Sequence, residues 1–180
     1  MTSDQPEIAL DAPFVPLPEL PATISRLLET PGLTDQLPTL LDVIRSSTGF
    51  DVAHLYLRHG GGEALDPAGV WSLSHEERFR PFQSSITTLR LFPGMGLAGR
   101  VLLTGRVNWL PALATDPNFP PAPVATAVGL HSGVGVPLTG GRAIHGVMEL
   151  FSAEARTPEP ELLDVLGSVG RLIGEGFERA

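Results

Sequence analysis

Between Phe92 and Phe151, glycine and proline break the chain so often that only short elements can form there. The run opens FPGMGLAGRVLLTGRVNWLPALATDPNF and closes GLHSGVGVPLTGGRAIHGVMELFS. Glycine permits positive φ and proline ends regular structure, so each apolar burst between them reads as one element. The pattern predicts a helix from Leu97 to Leu103 stopped by Gly105, then a strand from Val107 to Leu110 stopped by Pro111. A loop from Asp116 to Pro121 leads into a small-residue helix, Ala122 to Val128, that ends at Gly129. Two strands follow, Gly133 to Leu138 and Ala143 to Phe151, joined by the turn Thr139-Gly140-Gly141-Arg142.

The same run imitates a cofactor loop. Gly94, Gly96 and Gly99 match G-x-G-x-x-G, and Asp116 lies near the spacing of a ribose-binding carboxylate. A dinucleotide site needs a buried strand directly before the first glycine and a complete βαβ unit. Here Arg90, Leu91, Phe92 and Pro93 precede it, the helix is short, and Pro111 cuts the next strand. Gly94 and Gly96 therefore read as a turn, and Gly99 as a place of close packing. GLHSG is no nucleophile elbow either, because Ser132 falls one place late and leads into a strand.

Composition removes further chemistry. All 12 basic residues are arginine, which excludes a P-loop lysine or a Schiff base, and the lack of cysteine excludes thiol catalysis, thiolate zinc and iron–sulfur clusters. The five histidines, His54, His59, His75, His131 and His145, show no metal-ligand spacing; a single axial haem histidine stays open because one residue suffices. A net charge of -8 argues against nucleic acid and anionic membranes as partners. With no apolar run of spanning length and acids and prolines where a signal peptide would begin, a cytoplasmic location is expected.

Residues 1–21 read as a flexible lead-in and residues 22–180 as one domain with terminal helices. A short helix is predicted from Ala22 to Leu28. A second carries Leu37, Leu40, Leu41 and Ile44 on one stripe, with Thr34 as N-cap, Pro38 near the first turn and Gly49 at its end. Asp51 to Arg58 alternates as a strand, Gly60 to Gly62 turn the chain, a second strand lies around Val70 to Leu73, and His75 to Arg90 reads as a variable loop. Pro158 to Phe177 forms the last helix. Its apolar stripe is too broad for one narrow seam, so part of it is expected to face a partner. Gly167, Gly170 and Gly174 fall on another line of the same helix, pointing to close approach either within the chain or across a dimer.

Strand alternation places one constellation. If Ala53, Leu55 and Leu57 face the flanking helices, His54 and Tyr56 face the other way, together with His145, Val147, Glu149 and Phe151 of the last strand. That face is either a small-molecule pocket with a few orienting polar groups or a self-satisfied surface in which the polar groups pair with neighbours.

With these elements placed, the sequence resembles the GAF domain family of bacterial sensory modules from about Leu33 to Phe177. The resemblance rests on FPGMGLAGRVLLTGRVNWLPAL, DPNF, GLHSGVGVPLTGGRAIHGVMELFS and PEPELLDVLGSVGRLIGEGFER in that order. It implies an α+β, PAS-related fold: an antiparallel sheet of five or six strands, terminal helices on one face and a ligand pocket on the other. It further implies a non-enzymatic sensor that relays small-molecule binding through its terminal helices to a fused or partner output protein, such as a histidine kinase or cyclase of a two-component system. The alternative is a ligand-free scaffold for dimerisation or protein interaction.

A homodimer through the terminal helices is expected. The pocket of such domains maps to Trp109, Asp116, Asn118, Phe119 and the helix from Ala122, beside His54, Tyr56, His131, His145 and Glu149, with Trp71 and Phe92 as further aromatic walls. Without cysteine a bilin cannot be attached covalently and the catalytic thiols of the GAF-type methionine sulfoxide reductases are missing; a noncovalent nucleotide, haem or tetrapyrrole remains open.

Overall fold

The computed structural model describes residues 14–180. Five strands form one sheet in the order β2-β1-β5-β4-β3, every pairing antiparallel. They are β1 Val52–Arg58, β2 Leu65–Leu73, β3 Asn108–Leu110, β4 Ser132–Gly140 and β5 Ala143–Ser152. Helices cover both faces. On one lie α1 Leu20–Leu28, α2 Leu33–Thr48 and α6 Pro160–Arg179; on the other lie α3 Glu76–Ile86, α4 Gly96–Thr104 and α5 Ala122–Ala127.

Alternation along β1 and β5 divides the apolar interior into two cores. Ala53, Leu55, Met148 and Leu150 pack with Ile24, Leu41, Leu166 and Ile173 under the terminal helices. Val52, Tyr56, Val147 and Phe151 pack with Phe79, Phe82, Leu97 and Val101 on the far side. Both faces of the central strands are therefore dry, which is why β1 is buried over five consecutive residues.

The close seat of α6 explains two of its glycines. A Cβ at Gly170 would overlap the Pro137 carbonyl and one at Gly174 the Thr139 backbone, so β4 comes to the helix where a side chain would block it. The approach is within the chain, against a strand. Gly167 differs, because the nearest atoms to a Cβ there are Arg171 Nη1 at 3.8 Å and Val107 Cγ2 at 3.9 Å.

Several sequence expectations change. The segment expected to be a variable loop contains α3, whose Phe79, Phe82 and Ile86 are buried; charged neighbours and Pro81 mask that stripe in the sequence. The lead-in ends earlier than residue 21, since Val15 N donates to Ser47 Oγ at 2.9 Å and Leu20 is fully buried; residues 1–13 lie outside the described residues. The α2 N-cap is Gly32 at φ +91°, in place of Thr34, and Pro38 lies within the helix beyond its first turn. The second strand starts at Leu65, earlier than predicted.

Candidate functional site

His54 on β1 and Glu149 on β5 are direct cross-strand partners, and both point away from the terminal helices. Each is almost completely buried. His54 Nε2 lies 2.6 Å from Glu149 Oε2, while the other carboxylate oxygen accepts the backbone N–H of Ala98 at 3.0 Å. Glu149 Oε1 is thus an acceptor, and Oε2 shares one hydrogen with His54 Nε2. Ala98 is in the first turn of α4, where amides lack helical partners and a carboxylate is favoured. Glu149 therefore fastens the sheet to that helix.

Aromatic rings fill the space around the pair. The His54 ring stacks on Trp71 at 4.2 Å between centroids and 10° between planes, and meets the Tyr56 ring edge-on at 5.0 Å. Phe151 joins the cluster at 6.1 Å from His54, with Phe82 at 5.1 Å and Phe119 at 5.7 Å from Phe151. Burial, and then the Glu149 charge, push the Tyr56 pKa upward, so its phenol stays neutral. His54 Nδ1 is buried with no hydrogen-bond partner.

Asp116 and Asn118 serve as fasteners of the same cover. Arg100 of α4 binds Asp116 with two donors, one of them Nη1 to Oδ2 at 3.0 Å, and also donates to the Asn118 carbonyl at 2.7 Å. The Arg100 hydrogen bonds hold the Asp116 pKa below the usual carboxylate value. The Asn118 amide closes the glycine turn from both sides: Oδ1 accepts from Gly96 N at 3.0 Å and Nδ2 donates to Gly94 O at 2.8 Å. Gly94 and Gly96 have φ of +84° and +64°, and a Cβ at Gly99 would strike the Phe92 carbonyl. The cofactor-like glycines are turn and packing devices.

The structure therefore brings His54, Tyr56, Trp71, Phe119 and Glu149 together, with Asp116 and Asn118 in the cover beside them. Four expected residues lie elsewhere. Trp109 belongs to the core under the terminal helices, 6.3 Å from Phe50, because its partner in β4 is Val134 of that face. His145 is displaced by a bulge: Leu138 pairs with Gly146 and Thr139 with Ile144, which lets the imidazole reach Glu178 of α6 at 2.7 Å. Phe92 is 44% exposed, and the His131 side chain is exposed while its backbone N donates to Ser152 O. Sequence reasoning missed Arg100 and the Ala98 amide, for which the only signal was their place at the start of a helix.

A five-stranded antiparallel sheet with terminal helices on one side and a short-helix cover on the other defines a single-sheet α+β module. The GAF domain family profile matches residues 31–178, and the chain belongs to that family. The family is generally sensory or regulatory.

Among solved structures, the GAF domain of a phosphoenolpyruvate-protein phosphotransferase (ptsP) from Coxiella burnetii aligns with TM-score 0.75 and 14% identity over 91% of this chain and 94% of that one. The A. aeolicus nlh2 GAF domain in an inactive state aligns with TM-score 0.71 and 17% identity, over 91% and 96%. A free methionine-R-sulfoxide reductase from Neisseria meningitidis, solved in complex with its substrate, aligns with TM-score 0.71 and 16% identity, over 90% and 88%. At such identities the likeness establishes the fold alone. No curated protein matches the chain in sequence.

Among the described residues, no group of three or more His, Asp or Glu could hold a metal ion, and no helix is long and apolar enough to cross a membrane.

Proposed function

We propose that this GAF domain is a non-catalytic regulatory module whose ligand-side interior is closed at rest by its own side chains. It relays a change of state through its terminal helices to a fused or partner output protein. The observation behind this is Glu149, whose two oxygens are already engaged by His54 and by the Ala98 amide inside an aromatic cluster. A small molecule entering between the sheet and α4 has to displace that link, so binding and opening become one event.

β5 offers the relay. It carries Glu149, joined to α4, and His145, joined to Glu178 in the last turn of α6. Movement of β5 at one point is felt at the end of the helix through which such a module would reach its partner or a second copy. His54, Tyr56, Trp71, Phe119 and Glu149 are the residues assigned to the input side. The lack of cysteine supports the non-catalytic assignment by removing thiol chemistry.

The aromatic filling also favours a second reading, in which the interior never opens and the domain is a dimerisation or interaction scaffold. Native mass spectrometry and absorbance of the protein purified from its own host test the closed interior that both readings share. The expected result is a bare polypeptide without visible absorbance. A stoichiometrically retained nucleotide, haem or tetrapyrrole would overturn it.

A further inference from the structure

A concave cleft of about 330 Å³ opens at the outer edge of the sheet, between α2, β2 and α3, away from the cover formed by α4. Asp42, Trp71, Ser72, Glu76, Arg80 and Gln83 line it. Glu76, Arg80 and Gln83 recur at helical spacing, so they form one line along α3, whose Phe79, Phe82 and Ile86 are buried in the core. None of these three side chains makes a hydrogen bond or ion pair among the described residues. The opposite wall is already organised. Ser72 is 3% exposed, donates to Asp42 Oδ1 at 2.5 Å and accepts from Arg45 Nε at 2.7 Å.

The charges decide what fits. Two carboxylates, Asp42 and Glu76, and one guanidinium group, Arg80, line the cleft, with Arg45 bonded to Ser72 outside the lining, so both signs face it and the acids outnumber the base by one. A plain anion would meet Asp42 and Glu76, and a plain cation would meet Arg80. A small zwitterion satisfies both, with its carboxylate on Arg80 and its ammonium group toward Asp42 and Glu76. The volume is at the lower end for ligand sites and suits a single small metabolite.

We infer that this cleft is a binding site for a free α-amino acid, with Trp71 as the sensing element. Trp71 lines the cleft and also stacks on His54 at 4.2 Å, so occupancy reaches the His54–Glu149 link without entry into the closed interior.

The test is titration of the ¹⁵N-labelled chain with each free proteinogenic α-amino acid, following the Trp71 indole N–H. At least one should give a saturable shift with a Kd between about 1 µM and about 1 mM. Arg80→Glu and Glu76→Gln, both at exposed helix positions, should weaken it about tenfold or more while the circular dichroism spectrum is unchanged. The amine that lacks the carboxylate should lose binding as well. No saturable shift with any amino acid overturns the inference, as does equal affinity in Arg80→Glu or equal affinity for the amine.

Discussion

His54 and Glu149 face each other across β1 and β5, 2.6 Å apart, and the free oxygen of the same carboxylate reaches across to the Ala98 amide of α4. One side chain therefore holds two strands and a helix. Removing one partner of a buried hydrogen bond leaves the other desolvated and unsatisfied, which costs about 1–3 kcal/mol. Glu149→Ala is expected to fall in that range by urea unfolding, because it strands both His54 and the Ala98 amide. Glu149→Gln retains an acceptor of similar shape and should cost less. A double-mutant cycle with His54→Ala should show a coupling of at least about 0.5 kcal/mol, whereas additive losses would mean that the two residues act separately.

The glycines of α6 should respond with opposite signs to the same substitution. Gly170→Ala and Gly174→Ala drive a methyl group into the β4 backbone and are expected to cost about 1–3 kcal/mol through overpacking. Gly167→Ala meets nothing closer than 3.8 Å and should stabilise the chain by up to about 1 kcal/mol through helix propensity. Thermal melts of the three variants decide the matter. Destabilisation by Gly167→Ala would show that a neighbour needs that space.

Acid should weaken the Arg100–Asp116 clamp. Arg100 depresses the Asp116 pKa below its reference value of 3.8. A depressed carboxyl stabilises the fold above its unfolded pKa and loses that contribution as pH falls through the folded value. The stability difference between the wild type and Asp116→Asn is therefore expected to be constant well above pH 3.8 and to shrink below it. A difference that grows on acidification would reverse the assigned sign.

Asn118 closes the Gly94–Gly96 turn from both ends of its amide. Asn118→Asp keeps the acceptor for Gly96 N and loses the exposed donor bond to Gly94 O, so the loss of that bond should cost about 0.5–1.5 kcal/mol. Faster proteolysis confined to the turn is the expected companion result. Unchanged stability would show that water replaces the amide.

Much of this fold was legible because its signals are local. The glycine and proline spacing placed α4, β3, α5 and the β4–β5 hairpin, and alternation put His54, Tyr56 and Glu149 on one face. What the sequence concealed depends on non-local geometry. The helix α3 is held by tertiary burial of Phe79 and Phe82 against a polar, proline-bearing background. The bulge at His145 comes from the register of β4 against β5, which no periodicity within β5 records. Trp109 turned to the other face because a three-residue strand fixes no alternation of its own. Whether the polar face would be open or self-paired hinged on α4 bringing one backbone amide to Glu149, a contact separated by 51 residues.

The closure of the ligand-side interior is tested most directly by hydrogen exchange at the Ala98 amide. With Glu149 Oε1 as its acceptor, this N–H should exchange only on global or near-global unfolding, and Glu149→Ala should release it while leaving core β4 amides protected. Exchange of the wild-type Ala98 amide at the rate of an exposed loop would contradict the closed state.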